Sequence, residues 1–187
     1  MIRPLFFLIF FFLLNNSLVV AASPPTLDNL PQALLKQVQG LSELLRDSYA
    51  TWYPEATRAQ FVRLNDGEKL VLVVFTVEGF GGGNDYTQYF AVFSPETEQE
   101  GKQHFSLIDV MPIAGGGWRG IDIDTFRPKV TQESQSGKIV IAIDALEDTP
   151  GDSPNFPSKK ITINLLLKKN RFLEPGGRLV EQNLSSD

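Results

Sequence analysis

The chain contains 187 residues, carries a formal net charge of −5 and has no cysteine. This length suits one ordinary domain with a hydrophobic core of its own. An acidic chain lacks the basic face that DNA or RNA binding requires, so no nucleic acid partner is expected. Without cysteine the sequence offers no disulfide, no thiol nucleophile and no cysteine-ligated zinc or iron–sulfur site.

The N-terminus has the order of a secretory signal peptide. Arg3 gives a basic start, residues 5–14 are all apolar, and residues 20–23 supply the small side chains of a cleavage site. We predict that residues 1–22 are removed and that no stable membrane span remains. An uncleaved anchor is the alternative, but the apolar run is well short of the ~20 residues that a spanning helix needs. Exported domains without disulfides favour a bacterial envelope, so the expected location is periplasmic or secreted.

An amphipathic helix is predicted next. Thr26 or Asp28 can cap it, and Pro31 is tolerated in its first turn. Pro54 ends the predicted helix near Tyr53, because the residue before a proline is disfavoured in the α region. Apolar residues at spacings of three and four form the stripe that we expect to pack against a sheet: Leu34, Val38, Leu41, Leu45 and Tyr49.

Residues 69–94 are predicted to form two neighbouring antiparallel strands at the centre of that sheet. Residues 70–75 are six consecutive apolar residues, and residues 86–93 form a second run after the glycine-rich link at 79–84. A strand with one wet face alternates apolar and polar residues, whereas an unbroken apolar run indicates cover on both faces. The helix is the expected cover on one face.

The rest of the chain is predicted to be strands and turns, with a tight turn at residues 65–67. Further strands are predicted at residues 61–64, 103–111, 121–124, 138–146 and 160–168, with short pieces at 172–173 and 178–181. The expected fold class is therefore α+β, with an N-terminal amphipathic helix packed on a mainly antiparallel β-meander of about seven or eight strands. We predict a single domain over residues 23–181 and a loose polar tail at 182–187.

Three short stretches carry a resemblance. They are residues 83–93 (Gly-Asn-Asp-Tyr-Thr-Gln-Tyr-Phe-Ala-Val-Phe), residues 116–120 (Gly-Gly-Trp-Arg-Gly) and residues 152–154 (Asp-Ser-Pro). In this order the chain resembles a group of small exported bacterial proteins that have no established activity. Members of the group often carry adjacent cysteines before a Pro-Ser pair, where this chain has Asn155 and Phe156. The resemblance implies export and a single domain, and no reaction.

Two glycine-rich loops, at residues 79–84 and 115–120, are candidate binding loops, and Asn84, Asp85 and Tyr86 are the polar and aromatic residues of the first. Gly115, Gly117 and Gly120 match the dinucleotide-binding pattern, but that fingerprint requires a following helix and here a strand is predicted, so we interpret the glycines as a turn. Trp118 and Arg119 follow these glycines, and an aromatic ring beside a guanidinium can stack on a sugar or hold a carboxylate. Alternatively, Trp118 covers the core edge with Arg119 lying over it.

No complete catalytic set is present in the sequence. A Ser-His-Asp triad would need His104, the only histidine, and no Gly-x-Ser-x-Gly motif accompanies it. Asp122 and Asp124 are expected on one strand face about 6–7 Å apart, a spacing that could suit glycoside hydrolysis or calcium. The late loop at residues 147–159 is also acidic but lacks EF-hand spacing.

We therefore favour a non-catalytic, exported cell-envelope protein that binds a partner or a small ligand through its glycine and aromatic loops. No cofactor or metal site is predicted. The alternatives are a carboxylate-dependent hydrolase acting on envelope glycans, and a calcium-stabilised structural or inhibitory module. The candidate binding residues are Asn84, Asp85, Tyr86, Trp118, Arg119 and Asp152.

Overall fold

The structure is a computed structural model, and it describes residues 29–98, 101–133, 136, 138–153, 155–168 and 171–173. The predicted signal peptide, the caps Thr26 and Asp28, the strand at 178–181 and the polar tail lie outside these residues. Among the residues described, there is no helix with the length and apolar character needed to cross a membrane.

One helix precedes nine strands in the described part of the chain. The helix is α1 (Gln32–Leu45). The strands are β1 (Thr51–Arg63), β2 (Lys69–Phe80), β3 (Asp85–Thr97), β4 (Gln103–Gly115), β5 (Arg119–Gly120), β6 (Lys129–Gln132), β7 (Ile139–Glu147), β8 (Lys159–Lys168) and β9 (Arg171–Leu173).

The strands form one antiparallel sheet in the order β1-β2-β3-β4-β5-β7-β8-β9, with β6 paired to β7. The α+β class with a mainly antiparallel sheet is therefore confirmed. Chain neighbours pair as in a meander from β1 to β5 and from β7 to β9, but β6 does not pair with β5. Instead, β5 pairs with the C-terminal end of β7 and β6 with its N-terminal end, so residues 121–128 leave the sheet between them.

The sheet folds over on itself at the junction of β4 and β5. These two strands pair only where Gly115 lies opposite Arg119, which lets the first half (β1–β4) face the second half (β5–β9). Apolar side chains from both halves meet in one cluster, which we call the inner core. Its fully buried members include Leu72, Val74, Phe90, Ile113, Ile141, Ile143, Ile163 and Leu165.

A second cluster, the helix-side core, lies between α1 and the outer face of the first half. Leu34 and Val38 of α1 pack there against Val73, Phe75 and Phe93. Side chains of β2 alternate between the two clusters, because successive residues of a strand point to opposite faces. Every residue from 70 to 75 is consequently buried. The predicted cover on both faces of this segment is confirmed.

The predicted helix end is wrong by several residues. The helix stops at Leu45, and Tyr49 is 71% exposed rather than part of a buried stripe. Asp47 explains the early end, because its Oδ1 accepts the backbone N–H groups of Tyr49 (2.9 Å) and Ala50 (2.8 Å) and so stabilises a turn. Pro54 lies instead in β1, an edge strand whose register shifts around it, where a missing N–H donor is tolerated.

Residues 121–124 do not form the predicted strand. Asp122 Oδ1 accepts the backbone N–H of Asp124 at 3.0 Å, and Asp122 Oδ2 accepts the hydroxyl of Thr125 at 2.9 Å. These bonds stabilise a local turn in place of a sheet ladder. A second difference is that β4 continues past the predicted stop at Pro112, which lies beside a register shift with β3. Such irregularities accommodate a residue without an N–H group.

We expect Phe75→Ala to lower the free energy of unfolding by about 3–5 kcal/mol, as for other fully buried phenylalanines. Phe75 is completely buried and stacks on Tyr89 with ring centroids 5.4 Å apart. Urea unfolding followed by tryptophan fluorescence measures the change. Phe61→Ala is the matched control, because Phe61 is partly exposed on the edge strand β1. Equal losses for the two variants would contradict the double cover of β2.

Candidate functional site

Three loops that are distant in sequence meet at one end of the sheet. We call residues 84–86, 115–120, 148–153 and 155–157 the loop cluster. The N–H of Gly116 donates to the carbonyl oxygen of Tyr86 at 3.3 Å, and the N–H of Asp148 donates to that of Trp118 at 2.9 Å. Asn155 Nδ2 donates to the carbonyl oxygen of Asn84 at 3.5 Å. The cluster is therefore held together by hydrogen bonds that cross between its loops.

The glycines of the cluster permit close packing between loops. A Cβ on Gly116 would lie 2.5 Å from Asn155 Oδ1, and one on Gly120 would lie 3.2 Å from Pro157 Cγ. Gly117 has φ +68°, in the left-handed region that favours glycine. The segment leads into the short strand β5 and not into a helix, so the dinucleotide fingerprint lacks its phosphate-binding helix N-terminus.

Trp118 and Arg119 have different environments. Arg119 is only 6% exposed, its Nε donates to the carbonyl oxygen of Ile113 at 2.5 Å, and its guanidinium carbon lies 3.9 Å from the centroid of the Trp118 ring. This stacking supports one face of the indole. Trp118 remains 44% exposed, and Phe156 of the same cluster is 74% exposed. The cluster therefore presents two aromatic side chains, with the arginine acting beneath one of them.

Asn84 and Asp85 are exposed at the end of the β2–β3 hairpin, whereas Tyr86 is half-buried. Burial raises the pKa of Tyr86, and the negative charge of Asp148 raises it further. The Oδ1 atom of Asp148 is buried and has no hydrogen-bond partner in the described structure. Tyr86 is therefore neutral at ordinary pH and acts through its ring and its hydroxyl group.

Asp152 organises the late loop. Its Oδ2 accepts the backbone N–H groups of Thr149 at 2.8 Å and of Ser158 at 3.1 Å. These bonds give the carboxylate of Asp152 a structural role in the loop that involves no ligand. That Asp152 binds a ligand stays a prediction. The structure shows that its carboxylate stabilises the late loop.

The glycines of the other candidate loop contact the turn after α1. The N–H of Gly81 donates to Asp47 Oδ2 at 2.8 Å, and a Cβ on Gly82 would lie 3.6 Å from the Tyr49 ring. Only the end of this loop, residues 84–86, belongs to the loop cluster. The two glycine loops that the sequence analysis proposed thus lie at the same end of the sheet and have different neighbours.

His104 lies at the other end of β4. It is half-exposed, and its Nδ1 is 3.8 Å from Glu98 Oε1. It precedes Gly115 by eleven positions along this strand, and eleven residue steps span roughly 35 Å of extended chain. His104 is therefore far from the loop cluster.

A cavity of about 300 Å³ adjoins the loop cluster, and we call it the mouth cavity. Its polar lining comes from Thr76, Glu78, Tyr86, Gln88 and Asp122. Its apolar lining includes Ala56, Ile121 and Ile123. It opens between β2 and β3 on one side and the segment after β5 on the other.

A broader cavity of about 710 Å³ lies beyond the turn at residues 122–125. Asp122 and Asp144 both line it, together with Lys160 and Thr162. Asp144 Oδ1 accepts the Thr162 hydroxyl at 3.2 Å. Asp124 does not line this cavity; it is exposed and pairs with Arg58, so the carboxylates that share a cleft are Asp122 and Asp144 rather than the predicted pair.

Among the described residues, no group of three or more His, Asp or Glu side chains is placed to hold a metal ion. Comparison with known proteins gave no match to this chain, whether with family models, curated proteins or solved structures.

Two residues that line the mouth cavity, Tyr86 and Asp122, were singled out from the sequence, whereas Thr76, Glu78 and Gln88 were missed. Thr76 and Glu78 continue the face of β2 that carries Leu72 and Val74, so an inward-facing row changes from apolar to polar toward the strand end. Gln88 is opposite Thr76 on β3. This change from apolar to polar residues along one strand face is visible in the sequence. It could have been used to predict where the inner core ends.

We expect Asp152→Asn to lower the melting temperature modestly at pH 7 and less so in acid. Hydrogen bonds from the Ser158 side chain and from backbone N–H groups, chiefly that of Thr149, hold the pKa of Asp152 below its ordinary value of 3.8. A group with a lowered folded pKa contributes stability that is full above 3.8 and is lost as the pH falls through the folded value.

Melting temperatures of the wild type and the variant between pH 7 and pH 2 measure this difference. Ser158→Ala is the matched variant, because it removes one hydrogen-bond donor and leaves the carboxylate. Its melting temperature should differ from that of the wild type by less than that of Asp152→Asn does, and this difference should decrease over the same acidic pH range. A difference that stays constant with pH would contradict this role of Asp152.

Proposed function

We propose that this protein is exported to the bacterial envelope and binds a protein partner there, without catalysing a reaction. The observation that carries the proposal is the loop cluster, in which three loops distant in sequence are joined by hydrogen bonds and two aromatic side chains, Trp118 and Phe156, are exposed. Tryptophan is among the residues that most often dominate the binding energy of an interface.

The cluster is suited to binding because its parts are fixed before a partner arrives. Arg119 is buried and stacked under Trp118, and Asn155 and Pro157 are packed against Gly116 and Gly120. A surface that is already ordered loses less conformational entropy on association. Asn84 and Asp85 add exposed polar groups at its margin, as expected for the rim of an interface.

Export is proposed from the N-terminal sequence alone. We expect the protein to begin at Ser23 after production in a bacterial host, because Val20 and Ala22 supply the small residues at the third and first positions before the cut. Intact-mass measurement of the periplasmic fraction tests this. Ala22→Phe should block cleavage, while Ala21→Phe is the matched control at the tolerant position between them. A periplasmic protein that retains residues 1–22 would contradict the proposal.

We expect Trp118→Ala to reduce capture of the partner more than tenfold, as for a central interface residue, while the melting temperature changes little. The experiment immobilises the mature chain, exposes it to envelope extract and quantifies each captured protein by mass spectrometry. Leu44→Ala is the control, because Leu44 is the most exposed large apolar residue of α1 and lies outside the loop cluster. Equal capture by the Trp118 and Leu44 variants would contradict the proposal.

Carboxylate-dependent hydrolysis of envelope glycans remains the alternative function, because Asp122 and Asp144 line one cavity. Both carboxylates accept hydrogen bonds from neighbouring threonines, and both are exposed. Turnover of a glycan by the purified chain that Asp122→Asn abolishes would favour hydrolysis over binding. A calcium-stabilised structural or inhibitory module gains no comparable support from the described residues.

A further inference from the structure

Phe156 is the most exposed aromatic residue in the described part of the chain, at 74%. The residues on either side of it are half-buried and lie against the body of the protein. Asn155 Oδ1 is 2.5 Å from the position that a Cβ on Gly116 would take, and Pro157 Cγ is 3.2 Å from the corresponding position on Gly120. Pro157 also disfavours helical backbone at the residue before it. The chain is thus held on both sides of Phe156, while Phe156 itself faces solvent.

Hydrogen bonds within the late loop restrict the backbone around Phe156 further. The N–H of Phe156 donates to the carbonyl oxygen of Ser153 at 3.0 Å. Asp152 Oδ2 accepts the N–H groups of Thr149 and Ser158, which precede and follow Phe156 in the sequence. The first bond closes a turn and the other two join the flanks of the loop. A loop that is already ordered loses less conformational entropy when it binds.

The exposed ring has the properties of an interface anchor. It contributes little to the fold, because most of its surface stays in water. An aromatic side chain has only two torsions, so it loses little conformational freedom when it enters a pocket. Residues that dominate the binding energy of an interface are fully desolvated in such pockets. A phenyl ring on a fixed, outward-facing backbone therefore fits a concave apolar site on another protein.

The charge of the loop cluster indicates what surrounds that site. The cluster carries carboxylates on Asp85, Asp148 and Asp152, whereas its one guanidinium, on Arg119, is buried. Lys159, just outside the cluster, forms an ion pair. A second copy of this chain would bring the same negative charges to the contact, and an anionic lipid surface would also repel them. A protein with basic groups around its pocket would attract them.

We propose that Phe156 is the anchor of the interface and enters an apolar pocket of a second, folded protein whose surface around that pocket is basic. The carboxylate of Asp85 is the acidic group beside the anchor, because its Oδ1 lies 3.5 Å from the Cβ position of Gly116, the same glycine that Asn155 contacts. This inference rests on the proposed binding function and specifies the chemistry of the partner.

The test replaces Phe156 with p-benzoylphenylalanine, an analogue that crosslinks to its immediate surroundings under ultraviolet light. Irradiation in envelope extract, followed by mass spectrometry of the crosslinked peptides, should identify one protein, with the crosslinks on apolar residues that line a single cavity. The same analogue at Leu44, which is exposed and lies outside the loop cluster, is the control and should not crosslink that protein. Crosslinks to a second copy of this chain, to lipid, or to nothing beyond the Leu44 control would overturn the proposal.

Dissociation constants with the purified partner measure the anchor. Phe156→Ala should raise Kd about thirtyfold, the value of burying one phenyl ring, while the melting temperature stays unchanged because Phe156 is mostly exposed. Phe156→Tyr should raise Kd about tenfold, since an apolar pocket leaves the added hydroxyl without a hydrogen-bond partner. Ser153→Ala changes an exposed residue of the same loop and should leave Kd unchanged. Equal Kd values for the wild type and Phe156→Ala would show that Phe156 is not the anchor.

The basic margin of the pocket has its own matched pair of variants. Asp85→Asn should slow association with the partner about threefold at low salt, and the difference should disappear at high salt because the charges are then screened. Asp124→Asn removes the same charge from an exposed residue outside the loop cluster, and it should leave the association rate unchanged. Equal effects of the two variants would contradict the basic margin.

The anchor and the proposed binding function can fail separately. Capture from envelope extract that Trp118→Ala reduces and Phe156→Ala does not would overturn the anchor and leave the binding function standing. Capture that neither variant reduces would contradict both.

Discussion

The structure depends on the burial of β2 on both of its faces. Leu72 and Val74 lie in the inner core, and Val73 and Phe75 lie in the helix-side core. A sheet without cover, or a sheet covered by a helix on one face only, would not bury the side chains on both faces of β2. The chain therefore needs α1 outside and a second half of the sheet inside, and the narrow junction of β4 and β5 lets one continuous sheet supply that half.

This constraint also determines where the loops meet. In an antiparallel sheet alternate connections lie at the same end, so the β2–β3, β4–β5 and β7–β8 connections all lie together. Folding the sheet over then brings the late loop, through Asn155, onto the glycines before β5. The loop cluster is thus a consequence of topology, whereas its exposed aromatic residues are an addition that packing does not require.

The strongly patterned parts of the fold could be predicted from the sequence, and the locally hydrogen-bonded parts could not. The unbroken apolar run at residues 70–75 has one physical explanation, and the structure bears it out. The alternation of isoleucine and aspartate at residues 121–124 has two physical explanations. An outward-facing aspartate on a strand and an aspartate that closes a turn both give this alternation in the sequence. Asp122 forms the turn, and the decisive bonds from Gln88 to Ile121 join residues 33 positions apart. The mouth cavity was missed for this reason.

Buried glutamines explain why the two halves of the sheet meet in one arrangement. Hydrophobic contact alone is not directional, so it does not select one alignment of the inner core. Gln60 donates to the carbonyl oxygen of Pro128, and Gln88 bonds to both backbone groups of Ile121. Gln132, on β6, accepts a backbone N–H from the turn before β2. Each amide joins the first half to the segment between β5 and β7, and a shift of one residue would leave these buried groups without partners. One wall of the mouth cavity is consequently positioned by these hydrogen bonds together with the packing of Ile121 in the inner core.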